Sequence, residues 1–297
     1  MIYHLIKANR ADFPVRSLCR VLGVSHSGYY DWQDRPASPR VIANEALTQQ
    51  IKVIHQASKA SYGMPRIYRE LKSRSEKASK NRVARLMRLA HIKGITRRRH
   101  TVTTRQDRLA KKAPDLVKRQ FTATAINQLW VADMTYLPTW EGFLYLAVVI
   151  DVFSRKVIGW AFAEKMTEHI VINALNMALL TRKPASVIHH SDQGSQYTSK
   201  AFRELCQKSG VQLSMGTVGD AYDNAMAESF FASLECELID QHTWKTKIEA
   251  RRAVFAWIEG WYNLKRLHSA IDYLSPIEFE RKYPSLLLSI NQKMEII

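Results

Sequence analysis

"QLWVADMTYLP" (128–138) and "GFLYLAVVIDVF" (142–153) are the two runs that decide the fold. Both are rich in aromatic and β-branched residues, and only a short turn around Glu141 and Gly142 separates them. With "KVIGWAFA" (156–163) following at once, they predict a three-stranded antiparallel meander. Then come an amphipathic helix, "TEHIVINALNMALLT" (167–181), a short buried strand, "SVIHH" (186–190), a helix, "SKAFRELCQKSG" (199–210), and a last strand, "VQLSM" (211–215). A further helix opens within "YDNAMAESFF" (222–231). The order βββαβαβα predicts an α/β domain with a mixed five-stranded sheet and flanking helices.

Upstream the pattern is all helical. "FPVRSLCRVLGVSHSGYYDWQ" (13–33) spaces Val15, Leu18, Cys19 and Leu22 as a helix, places Gly23 at its C-terminal end, and offers Ser25 as the N-cap of the next. That is helix, tight turn, helix, the arrangement a helix-turn-helix requires. Tyr29, Tyr30 and Trp32 are read as core rather than as base-stacking groups. After a Pro-containing linker, Leu47, Ile51 and Ile54, then Ile67 and Leu71, then Val83, Leu86, Met87 and Ala90 mark a second helical module. On its last helix Arg82, Arg85 and Arg88 recur every three residues, and nothing acidic is interleaved from Lys77 to Lys93. These arginines are candidate phosphate contacts. The domain boundaries predicted are 1–40 and 41–93 for the two helical modules, 94–126 for a basic linker, 127–240 for the α/β core and 241–297 for a helical extension. That extension is expected to be a long amphipathic helix, then a capping box at Ser275, Pro276 and Glu278.

Charge is segregated along the 297 residues. Residues 1–120 hold 27 Lys/Arg against 8 Asp/Glu, whereas 121–297 hold 17 against 19. This places a polyanion-binding function in the first part and leaves a near-neutral domain to do something else. The linker adds ten basic residues against two acidic ones over 93–119, including Arg97, Arg98 and Arg99. Double-stranded DNA is the expected partner. No signal-peptide pattern opens the chain and "LYLAVVI" (144–150) is too short to span a bilayer, so a cytoplasmic, membrane-free protein is expected. Cys19, Cys206 and Cys236 lack metal-ligand spacing and read as buried thiols.

Three acids stand where acids are disfavoured. Asp133 interrupts a buried strand, Asp192 lies just past the carboxyl end of another, and Glu228 sits early in the helix after the last strand. Each alone has a structural explanation: an arginine partner for Asp133, a turn for Asp192, the helix N-terminus for Glu228. Clustered, they would not tolerate one another. Two carboxylates about 4 Å apart repel by roughly 4 kcal/mol at an effective dielectric of about 20. Hard divalent cations relieve this: Mg²⁺ suits carboxylates, and two such ions suit phosphodiester chemistry.

The spacing, 58 residues between Asp133 and Asp192 and 35 between Asp192 and Glu228, resembles the D, D, 35-residue gap, E signature of the retroviral-integrase catalytic core. "LWVADMTYL", "VIDVFSRKVIGWA", "HHSDQGSQYTS", "YDNAMAESFF" and "WYNLKRLHSAIDYLSPIEF" resemble OrfB-type insertion-sequence transposases, as do "VLGVSHSGYYDW" and "YGMPRIYRELK" nearer the start. The resemblance implies an RNase H-like sheet and two Mg²⁺ or Mn²⁺ ions held by Asp133, Asp192 and Glu228. It also implies DNA strand cleavage followed by strand transfer. A homo-oligomer on DNA, with the upstream-frame product OrfA as partner or frameshift fusion, is expected too. Tyr197, Asn224 and His190 are candidates for supporting the ligands, and Lys200 for touching DNA. Glu235 departs from the pattern: many relatives of this fold carry a basic residue seven positions past the catalytic Glu. A catalytically inactive DNA-binding regulator and a plain nuclease of the same fold are the alternatives.

Overall fold

The computed structural model describes residues 2–96, 113–117, 121–216 and 225–282. Its sheet is built on β1 (Leu129–Thr139), which pairs antiparallel with β2 (Gly142–Asp151). β2 pairs antiparallel with β3 (Val157–Ala163). On the other edge of β1 lies β4 (Val187–Ser191), parallel to it, and then β5 (Val211–Met215), parallel to β4. The order β3-β2-β1-β4-β5 is the predicted meander extended by two crossover strands. Alternation along the strands sorts side chains to two cores. Leu129, Val131 and Leu137 of β1 with Leu146 and Val148 of β2 face one core, closed by α9 (Ala225–Glu237) and α10 (Lys247–Trp257). Trp130, Ala132, Ala147 and Val149 face the other, closed by α7 (Glu168–Arg182) and α8 (Lys200–Lys208). Asp133 shares the parity of Val131, so its side chain lies on the α9 face.

The first helices, α1 (Ile2–Asn9), α2 (Val15–Val21) and α3 (His26–Asp34), enclose a small separate core of Ile6, Cys19 and Tyr29. Gly23, at φ +66°, turns the chain after α2, and the Ser25 hydroxyl accepts the Gly28 N–H at 3.2 Å to start α3. Tyr29 is buried and Trp32 packs against the cluster, as read from the sequence, whereas Tyr30 is exposed. Cys206 is buried like Cys19, and Cys236 is half-buried.

α4 (Pro39–Ala57), α5 (Met64–Ser73) and α6 (Lys80–Leu89) are the second helical module. Their buried side chains, including Leu47, Ile51, Ile67 and Val83, are continuous with the α9 face of the sheet. Polar contacts set the docking. The Tyr62 hydroxyl accepts the Leu267 N–H at 2.8 Å, Arg66 Nε donates to the Leu267 carbonyl at 2.9 Å, and the Arg69 guanidinium lies 4.8 Å from the centre of the Tyr273 ring.

The long C-terminal helix expected from the sequence forms, but its hydrogen bonding changes partway. α10 ends at Trp257 and passes into one π-helical turn, Ile258–Tyr262. Buried Asn263 then bonds both backbone groups of Val157, donating through Nδ2 at 2.9 Å and accepting through Oδ1 at 2.9 Å. The capping box at Ser275 and Glu278 forms and opens the last helix, over 276–282. Between them Arg266, 5% exposed, donates through Nε and Nη2 to Glu237 at the end of α9, and through Nη2 to Ser233 at 3.0 Å. Trp261 Nε1 donates to the same carboxylate at 3.2 Å.

Two stability outcomes follow from this packing. A Cβ at Gly159 would strike the Ala174 carbonyl and come within 2.8 Å of the Ala178 nitrogen, so Gly159→Ala should lower the unfolding free energy by about 2 kcal/mol or more in urea unfolding. Glu237→Gln leaves the Arg266 charge buried without its partner and should cost about 3–5 kcal/mol in urea unfolding. A loss below 1 kcal/mol would mean that the pair is not a determinant of stability.

Candidate active site

β1 and β4 run parallel, with Val131 opposite His190, so the chain past β4 carries Asp192 to the level of Asp133. Asp133 Oδ1 accepts the Met134 N–H at 2.7 Å, and Asp192 Oδ1 accepts the Gly194 N–H at 3.0 Å. The Asp192 loop is tied to the end of β5 by Gln193 Nε2, which donates to the Gly216 carbonyl at 2.7 Å. Glu228 sits in the first turn of α9 with its side chain exposed.

The electrostatics single out Asp133. Burial first, then the negative charge of Asp192, and last that of Glu228 push its carboxyl up to about 7; only the Met134 N–H opposes them. Asp192 is raised as well, by burial. No Lys or Arg ion-pairs with either acid among the described residues. The arginine partner that would make Asp133 structural is therefore not among the groups acting on it. Among the described residues no three His, Cys, Asp or Glu side chains stand close enough together to share an ion. The arrangement is a half-buried carboxylate pair within electrostatic reach of a third, exposed carboxylate.

Tyr197 is 1% exposed, its hydroxyl has no hydrogen-bond partner, and burial followed by the charges of Asp133 and Asp192 holds it well above the usual tyrosine range. It stays protonated beside the two acids. His189 is fully enclosed, with neither ring nitrogen hydrogen-bonded, and burial pushes it down to about 4, so it is neutral. His190 Nδ1 lies 2.9 Å from Ser214 Oγ, which in turn accepts the Leu116 N–H. It links β4 to β5. Lys200 is exposed, with a loose 3.8 Å pair to Glu204. On α6, Arg82 is half-buried and donates through Nε to Asn44 Oδ1 at 2.9 Å, while Arg85 and Arg88 are exposed. Glu235 is half-buried on α9. Arg97, Arg98, Arg99 and Asn224 lie outside the described residues.

Sequence reasoning missed Asp151. It is 0% exposed and accepts the N–H groups of Asn127, Phe153 and Ser154, fixing the approach to β1. An acid within "VVIDVF" was the available signal.

Family models agree with this geometry. Two described as integrase core domain match residues 123–221 and 209–276, and one described as HTH-like domain matches 43–100, the second helical module rather than the first. A 31 kDa protein of insertion element IS600 from Shigella sonnei is 39% identical over 90% of this chain and 98% of its own length. The IS629 transposase of Shigella sonnei is 36% identical, covering 94% and 95%, and transposase InsF of IS3A from Escherichia coli 37%, covering 95% and 99%. The chain belongs to this family of insertion-sequence transposases. Among the described residues no helix is long and apolar enough to cross a membrane.

Because Asp133 in the folded chain keeps its proton well above the ordinary aspartate range, the native state binds the extra proton between about pH 4 and 7. Stability due to this group therefore falls as pH rises through that window. Asp133→Asn should raise the melting temperature of the metal-free protein at pH 8 by at least about 2 °C, with a smaller gain at pH 5. Equal shifts at both pH values would contradict the burial-driven rise.

Proposed function

We propose that this chain cuts DNA strands at the ends of an insertion sequence and joins them to a target, with Asp133, Asp192 and Glu228 holding two Mg²⁺ or Mn²⁺ ions. The observation that supports this reading is the half-buried Asp133–Asp192 pair, which has no cationic partner among the described residues. Its donor set, carboxylate oxygens alone, fits a hard divalent ion and not zinc. Bound there, the ions supply the Lewis acidity that readies an attacking oxygen and stabilises a leaving one.

The chain's own residues do the rest. Asp133 is set by strand register and Asp192 by the Gly194 turn, so two ligands are preorganised before any ion arrives. Glu228 completes the set from α9, whose far end Arg266 anchors. Tyr197 keeps its proton at neutral pH and so adds no further negative charge beside the acids. The basic helical modules hold double-stranded DNA through its phosphates, Arg82, Arg85 and Arg88 among them, with the Arg97–Arg99 run and Lys200 as further contacts. The protein acts as a homo-oligomer on DNA, with the upstream-frame product as partner or fusion.

The test is a labelled duplex carrying an element end. Nicking and joining should require Mg²⁺ or Mn²⁺, and Asp133→Asn, Asp192→Asn and Glu228→Gln should each reduce both by at least about 10³-fold, while DNA affinity changes by no more than about twofold. Full joining by Glu228→Gln would remove Glu228 from the ligand set. Nicking without joining under any condition would make the chain a nuclease, and binding without chemistry would make it a regulator.

A further inference from the structure

We infer that the concave surface between α4 and α6 is a socket for a single phosphate of the DNA backbone. Arg40, Arg82 and Arg85 form its cationic walls. The inference rests on the DNA-processing function proposed above and goes beyond it in assigning one phosphate to three side chains.

The cavity measures about 500 Å³ and is lined by Arg40, Ala43, Ser79, Asn81, Arg82 and Arg85. None of these is acidic, and among the described residues none of the three arginines makes an ion pair. Glu45, the acid nearest in sequence, does not line it. Three guanidiniums around one concavity repel one another, and an anion between them turns that repulsion into attraction. Arg82 is not a loose surface chain: its Nε bond to Asn44 Oδ1 at 2.9 Å sets the plane of its guanidinium.

Two helix starts border the same space. Arg40 follows Pro39 in the first turn of α4, capped by Ser38, and Ser79 caps α6 by accepting the Arg82 N–H at 3.3 Å. Their dipoles add to the positive potential already set by the arginines. Among the described residues no aromatic side chain lines the cavity to stack a base, and the occupant is a phosphodiester rather than a nucleobase. Arg88, grouped with Arg82 and Arg85 by sequence spacing, is not part of the lining. Steps of three residues on a 3.6-residue helix rotate it away, and Arg40 from α4 takes the third place.

A shared phosphate has a signature that a diffuse basic face does not. Each phosphate neutralised contributes about 0.9 to the slope of log K against log salt concentration. The full-length protein is titrated onto two duplexes of unrelated sequence by fluorescence anisotropy between 50 and 200 mM KCl, a range of about the width used for such slopes. Arg40→Gln/Arg85→Gln, both at exposed positions, and the triple variant with Arg82→Gln should each lower the slope by about one unit, equally on both duplexes. A loss near three units in the triple variant would mean three separate phosphates and would overturn the socket, as would an unchanged slope or a loss on one sequence only. Wild-type protein that binds neither duplex would overturn the DNA-processing reading as well, so the two failures are told apart. Circular dichroism melts confirm that the variants fold, and the exposed pair alone still decides the matter.

Discussion

The salt bridge between Arg266 and Glu237 holds together three parts of the chain that sequence order keeps far apart. Removing two charges from water costs several kcal/mol per ion, and only good geometry with further hydrogen bonds offsets it. Here both conditions are met: two guanidinium nitrogens reach Glu237, while Ser233 and Trp261 bond the same groups. Leu267, the next residue, receives Tyr62 and Arg66 of the helical module. His268 beyond it is kept neutral, well below the usual histidine range, by burial and by Arg266, Arg66 and Arg155. The end of α9, the C-terminal segment and α5 therefore meet at one buried ionic point. Glu228 lies nine residues before Glu237, about 13 Å along the helix axis, so its position is set by helical register from an anchored end.

Buried charge is treated in two opposite ways in this molecule. At Arg266 every group has a partner. At Asp133 and Asp192 no cationic partner stands among the described residues, and the cost appears as an Asp133 carboxyl that holds its proton up to about 7. A fold selected only for stability would supply a lysine or replace the acid, and the described residues do neither. Local cost tolerated beside a fully satisfied network is what a functional site looks like.

The sheet was legible because period-two alternation and β-branched residues act locally, and Ser25 announced its helix by capping, which is equally local. Asp133 was legible as an acid out of place. Glu228 was less so: its residue type suits any first helical turn, and only its 35-residue gap from Asp192 marked it. Arg266 was not legible at all. Its partner lies 29 residues away, and Leu267 meets Tyr62 across 205 residues through a backbone N–H that has no sequence signature. The π-helical turn was hidden for another reason, since Val254, Trp257, Ile258 and Trp261 keep an apolar stripe running through the point where the helix changes its hydrogen bonding.

The segregation of charge now has a structural reason. A cation beside Asp133 would lower its pKa and stabilise the fold, but it would also neutralise the charge for which the proposed divalent ion is invoked. Arginines able to hold DNA must therefore stand away from the acids, yet at a fixed distance from them. One continuous core meets both demands: α4–α6 share buried side chains with β1, β2 and α9, so basic helices and acidic site form a single packed body. A flexible tether between them would leave a bound phosphate and the carboxylate pair free to drift apart, and reacting groups misplaced by as little as about 1 Å lose about 10²-fold in rate. The basic half and the near-neutral half are thus separate in sequence for electrostatic reasons and joined in the fold for geometric ones.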